Sequence, residues 1–138
     1  MNLKIFTDGG SRGNPGIAGG GVFAKNEDEI VFEKSIFFGQ KTNNESEYLA
    51  FIAATEWLVK YSSENKISSA TFFLDSKLVV EQINKNWKIK EPRLRELANK
   101  AWNELNSLPY SYKIEHVLRD KNSEADALAN QAMDAYSE

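Results

Sequence analysis

An α/β fold on a five-stranded mixed sheet is the class this sequence predicts, and three observations carry it. Strand-like segments with short connections fill the first part of the chain, up to about residue 38, and helical periodicity takes over at about residue 45. The remaining elements then alternate in the order strand, helix, helix, strand, helix. No composition break, linker or internal repeat divides the 138 residues, so 1–138 is read as a single domain.

The first strand is expected over residues 3–7. It should stop at Asp8, because Asp8-Gly9-Gly10-Ser11-Arg12-Gly13-Asn14-Pro15-Gly16 is crowded with turn formers. Residues 17–25 and 30–38 flank the polar Asn26-Glu27-Asp28-Glu29 and read as a hairpin, which makes the first three strands an antiparallel meander. Asn44-Glu45-Ser46-Glu47 has capping-box spacing, and Leu49, Ile52, Ala53 and Trp57 follow at helical intervals, giving a helix over about 45–61. Residues 70–74 form a short apolar strand ending at Asp75-Ser76, and Leu78, Val79, Gln82 and Ile83 suggest a helix over 76–84. Pro92 suits the first turn of a helix reaching about 106, and Tyr110, Tyr112, Ile114 and His116 alternate as in a half-buried strand. Ser123-Glu124-Ala125-Asp126 opens the last helix, which carries Ala125, Leu128, Ala129 and Ala132 on one side. The three glycines Gly19, Gly20 and Gly21 within the second strand predict close backbone packing or a bulge.

Apolar residues at 41% and charged residues at 27%, with 3 Pro and 8 Gly, exclude disordered and collagen-like classes. The absence of Cys excludes a disulfide scaffold, a thiolate metal site and a cysteine nucleophile, and suits a reducing cytoplasm. The opening apolar segment is interrupted by Lys4 and Asp8, unlike an export signal. Mean hydropathy is −0.51, and no run approaches the roughly 20 apolar residues of a bilayer span, so no membrane association is expected. Seventeen basic against twenty acidic residues give a net charge of −3, which argues against nucleic-acid binding driven by bulk charge and leaves room for a local basic face.

Chain geometry then makes a prediction about distant acidic residues. If the first strand runs upward, the third does too, and Glu47 lies in the first helical turn at the upper edge. A right-handed crossover makes the fourth strand parallel to the first and brings Asp75 to the same edge as Asp8. A parallel fifth strand ends nearby, and the helix after it begins with Asp126. Four carboxylates so gathered would repel one another unless a cation joined them. A donor set without His or Cys suits Mg²⁺ or Mn²⁺, and two such ions roughly 3.5–4 Å apart support phosphodiester hydrolysis.

Those residues also carry a family resemblance. Residues 7–16, Thr42-Asn43-Asn44-Glu45-Ser46-Glu47-Tyr48, Leu74-Asp75-Ser76 and Asn122-Ser123-Glu124-Ala125-Asp126-Ala127-Leu128-Ala129 resemble, in order, the motifs of type 1 ribonuclease H. The resemblance spans nearly the whole chain. It implies the ribonuclease H-like fold, with sheet order 3-2-1-4-5, strands 1, 4 and 5 parallel, and helices on both faces. It implies hydrolysis of the RNA strand of RNA–DNA hybrids to 5′-phosphate and 3′-hydroxyl ends, with Asp8, Glu47, Asp75 and Asp126 as ligands of two Mg²⁺ ions. Gly9, Gly10, Asn14, Asn43 and Asn44 would contact the minor groove, where a 2′-hydroxyl can both donate and accept. Thr42 resembles the residue that grips a DNA phosphate.

Three departures from the family stand out. The basic protrusion found in many bacterial members is missing, since Asn86-Trp87-Lys88-Ile89-Lys90 leads almost directly to Glu91-Pro92. The surrounding Lys85, Lys88, Lys90, Arg93, Arg95 and Lys100, with Trp87, still predict a modest phosphate-contacting surface, to which Trp87 and Lys88 are assigned. Glu45 stands where several relatives have Arg. The segment from His116 to Asn122 is too short for the mobile catalytic-histidine loop and resembles a shorter-loop subgroup. There Arg119 is the better candidate for an auxiliary role and His116 reads as a strand residue. The chain is expected to act as a monomer. A non-catalytic nucleic-acid-binding module, a nucleotide-phosphate cradle and a structure-selective DNA nuclease are the competing functions. The cradle would need a Walker-type Lys or dinucleotide glycine spacing, and the first loop has neither.

Overall fold

The computed structural model describes residues 1–136. Its elements are β1 (Asn2–Gly13), β2 (Gly16–Asn26), β3 (Glu29–Lys41), α1 (Asn43–Ser62), β4 (Ser69–Leu74), α2 (Lys77–Ile83), α3 (Pro92–Asn106), β5 (Ser111–His116), a 3₁₀ turn (Arg119–Lys121) and α4 (Ser123–Asp134). The sheet order is β3-β2-β1-β4-β5, with β1–β3 antiparallel and β1, β4 and β5 parallel, as expected.

The main departure is in β1, which continues to Gly13 instead of stopping at Asp8. Asp8 pairs with Gly21, Gly9 with Gly20 and Gly10 with Gly19, so the presumed loop is a strand. Turn propensity loses here because two glycine-rich segments face each other, and backbone pairing satisfies both where side chains would crowd the covering helices. β4 stops at Leu74, opposite Thr7, so Asp8 still lies just past the last residue that β1 pairs with β4.

Alternation along β2 assigns the two faces of the sheet. A Cβ on Gly20 would lie 3.0 Å from Ala50 Cβ of α1, whereas one on Gly21 would lie 2.2 Å from the Ala125 carbonyl of α4. Helices α1 and α4 therefore pack on opposite faces, both at near-backbone distance, and the register of β2 against β3 shifts between Ala18 and Gly19. Both readings of the glycine run, close packing and a bulge, hold. The main core lies on the α1 side, where Leu3, Ile5, Phe51, Leu58, Phe72 and Val79 are buried with Leu94 and Leu97 of α3.

Helix α1 starts earlier than the sequence suggests. Its N-cap is Thr42, whose hydroxyl accepts from the Glu45 N–H at 3.1 Å while Glu45 accepts from the Thr42 N–H at 3.0 Å. The capping box is thus Thr42 with Glu45, and Glu47 is released for other work. α2 is capped by Ser76, whose hydroxyl accepts from Val79 N–H at 3.3 Å.

Candidate active site

Glu47 leaves α1 toward β1, where its Oε1 accepts from the Gly9 N–H at 2.7 Å. That contact depends on the glycine, because a Cβ there would sit 2.1 Å from the Ser46 carbonyl. Asp8, adjacent on β1, and Asp75, just beyond β4, present oxygens that lie with one of Glu47 within 4.8 Å of one another. Asp126, on the first turn of α4, lines the same cleft as Asp8 and Glu47 and adds to the upward shift of the Asp8 carboxyl. Three of the four predicted carboxylates therefore meet, and Asp126 lines the cleft beside them.

Burial raises the Asp8 carboxyl far above the ordinary carboxylate range, and the charges of Glu47 and Asp75 raise it further. Glu47 is raised in the same sense, first by burial and then by Asp75, while the Gly9 N–H and Arg119 partly offset the shift. Asp75 Oδ2 is buried without a hydrogen-bond partner. Every donor here is a carboxylate oxygen, so the orphaned atom and the crowded charges fit a hard divalent cation better than any arrangement of protein groups alone.

The cleft has a volume of about 420 Å³. Of the sequence-predicted residues, Gly9, Gly10, Asn43 and Arg119 line it, and Asn14 flanks it by accepting from the Asn43 N–H at 3.0 Å. Thr42 sits at the helix cap beside them, its proton still available to donate. Asn44 instead lines an adjoining smaller cleft with Lys88 and Lys90, and Trp87 lies beyond it. His116 stands at the end of β5 with Nε2 3.2 Å from the Asp75 carbonyl, outside the cleft lining. Glu45, besides closing the cap, pairs with Arg93 at 3.1 Å, and Arg93 also meets Glu96 at 3.2 Å, which removes one cation from the basic surface.

Three contributors were missed. Arg12 lines the cleft and pairs with Asp134 at 2.6 Å, and Asn130 on α4 receives a contact from Arg12 at 3.3 Å. The spacing of Asp126, Asn130 and Asp134 along one helical face was the available signal. Asn122 is fully buried, and its Nδ2 donates to the Thr7 carbonyl at 2.9 Å, tying the start of α4 to the residue before Asp8.

Comparison with known proteins decides the family. A reverse transcriptase-like family model matches residues 6–132. A ribonuclease H of Ruthia magnifica is 39% identical over 98% of this chain and 97% of its own length. The chain belongs to the type 1 ribonuclease H family. LC11-RNase H1, solved in complex with an RNA/DNA hybrid, superposes with a TM-score of 0.90 at 36% identity, covering 96% of this ribonuclease H-family chain and 97% of that one. The bifunctional protein Rv2228c of Mycobacterium tuberculosis is 41% identical over all of this chain, which spans only 37% of that protein's length.

Proposed function

We propose that this ribonuclease H-family chain is a metal-dependent endonuclease that hydrolyses the RNA strand of RNA–DNA hybrids, leaving 5′-phosphate and 3′-hydroxyl ends. The observation that carries this is the convergence of Asp8, Glu47 and Asp75, with Asp126 lining the same cleft, from four separate stretches of sequence. The hybrid-bound relative supports the substrate class.

Asp8, Glu47, Asp75 and Asp126 would hold Mg²⁺, two ions at full loading, with Mn²⁺ as a substitute. When bound, the metal supplies charge to the attacking and leaving oxygens of the phosphodiester. The chain's own groups do the rest. Gly9 holds Glu47 in place through its N–H, and the Asn43 amide and the Gly9-Gly10 backbone offer donors and acceptors to a ribose 2′-hydroxyl, the group that separates RNA from DNA. Asn14 fixes the start of α1, Thr42 donates to a phosphate of the DNA strand, and Arg119 in the cleft lining offers a guanidinium to phosphate. Asn44, Trp87 and Lys88 extend the contact surface beyond the cleft. His116 serves the strand end, where its ring meets the Asp75 carbonyl. The reading includes residues 1–138 acting as one catalytic domain, as a monomer in the cytoplasm.

Incubation with matched RNA–DNA, RNA–RNA and DNA–DNA duplexes in Mg²⁺ or Mn²⁺ tests the proposal. Cleavage confined to the RNA strand of the hybrid is expected. Preferential cutting of a DNA duplex or junction would overturn it in favour of a structure-selective DNA nuclease.

A further inference from the structure

Between the end of α2 and α3 lies a second groove, of about 510 Å³. Trp87 and Trp102 line it with Lys85, Lys88 and Arg95, and among the described residues no carboxylate does. The walls are built, not incidental. The Trp102 indole N–H donates to the Ile83 carbonyl at 3.0 Å, and the Asn86 and Trp87 N–H groups both donate to the Glu81 carbonyl, at 2.9 and 3.2 Å. Gln82 is buried, accepts from the Tyr48 hydroxyl at 2.7 Å, and holds the Lys88 carbonyl through Nε2 at 3.4 Å.

Lys85 is the least expected residue in this wall. Its φ of 64° is left-handed, a conformation that Gly or Asn adopts at lower cost where a helix ends. Yet a lysine stands there, with its ammonium 4.9 Å from the centre of the Trp102 ring. The turn itself belongs to the helix end, where the Lys85 N–H donates to the Gln82 carbonyl at 3.0 Å and the Asn86 N–H to the Glu81 carbonyl at 2.9 Å; what the fold does not require is a cation at that position, facing the groove beside the half-buried Trp102 ring. Trp87 is 43% exposed.

We infer that this groove receives an unpaired nucleotide, from a strand that runs past the end of the hybrid duplex. A base inside an intact duplex has both faces stacked already, so an indole offered in solvent gains only from an unpaired base, while the neighbouring cations take its phosphates. Lys88 and Gln82 line both this groove and the smaller cleft containing Asn44 of the α1 first turn, and Asn44 follows Asn43 of the carboxylate cleft, so the groove lies in line with the carboxylates by way of that smaller cleft. The inference rests on the hybrid-nuclease reading and adds a preferred substrate architecture: a hybrid continued by a single strand.

Binding in EDTA at fixed ionic strength tests it without turnover. Fluorescence anisotropy compares a blunt hybrid with the same hybrid carrying a short single-stranded DNA or RNA extension. In the wild-type protein an extension should tighten Kd by about tenfold and quench tryptophan fluorescence. A gain from both extensions, or from one alone, upholds the inference, and the second result assigns the strand. The ratio of blunt to extended Kd should fall to near unity in Trp87→Ala and drop several-fold in Lys85→Asn. Lys85→Asn should melt no lower than wild type, since Asn suits the left-handed backbone. Equal Kd values for blunt and extended hybrids, or an extension gain that survives Trp87→Ala, would overturn it. Those outcomes leave the nuclease reading standing, whereas a protein that cuts no hybrid in Mg²⁺ sinks that reading through a different measurement.

Discussion

Asp75 shows why a single side chain can be costly to the fold and necessary to the chemistry. A residue just past a strand end with a buried, unpartnered carboxylate oxygen has no structural reason to be acidic. Asp75→Asn keeps the shape and removes one anionic donor, so hybrid cleavage should fall by at least about a thousandfold while the metal-free protein melts no lower than wild type. Near-normal turnover in a steady-state assay would show that the donor set is misassigned. Gly9 is the opposite case, where anything larger than hydrogen is excluded. Gly9→Ala would drive a methyl to 2.1 Å from the Ser46 carbonyl, and backbone cannot yield as a side-chain tip can. A loss of about 3 kcal/mol is expected by thermal or urea unfolding, with cleavage reduced further because the Glu47 anchor moves. The carboxylates were legible because chain geometry brings Asp8, Glu47, Asp75 and Asp126 to one edge of the sheet, a placement that survives the continuation of β1 past Asp8. Arg12 was not, because its segment reads as turn by composition and only pairing with β2 reveals it as strand.

The elements matter here through how closely they approach one another. Helix α4 brings Asp126 to Asp8 only because β2 offers Gly21 beneath Ala125. Gly21→Ala should therefore push α4 outward, costing about 2 kcal/mol in stability and weakening metal binding, since Asp126 moves with the helix; isothermal titration with Mn²⁺ would register the loss. At the other helix, Thr42→Ala removes the cap hydroxyl, and about 1 kcal/mol of stability should go with it in urea titrations. Element order, the antiparallel meander, the parallel pairing of β1 with β4 and the β2 glycine packing could be read from periodicity and chain geometry, while the parallel β5 followed from the family resemblance. The capping box could not be placed uniquely, since Thr42 with Glu45 and Asn44 with Glu47 share the same spacing and only the backbone around Thr42 separates them. Glu45 also shows the limit of reasoning by substitution: it supports the cap and draws Arg93 out of the basic surface.

On the scale of the whole molecule, the sheet holds like charges together at one edge, and the fold's stability should report it. Burial and mutual repulsion raise the Asp8 and Glu47 carboxyls in the folded chain, so folding favours their protonated forms. The unfolded chain releases those protons in the ordinary carboxylate range, near pH 4. Stability contributed by holding them is full below that range and is lost as pH rises toward the raised folded values. Each such group costs up to about 1.4 kcal/mol per pH unit within that window. In EDTA the melting temperature should therefore decline between pH 5 and pH 8. Millimolar Mg²⁺ should reverse the decline, because a cation binds the deprotonated cluster of the folded chain and stabilises by mass action, by about 2.7 kcal/mol at a hundredfold excess over Kd. The Mg²⁺-induced rise in melting temperature should grow with pH and be much smaller in Asp8→Asn, which removes the charge at the centre of the cluster. A metal-induced shift of equal size at pH 5 and pH 8, measured by calorimetry, would place the binding elsewhere on the molecule.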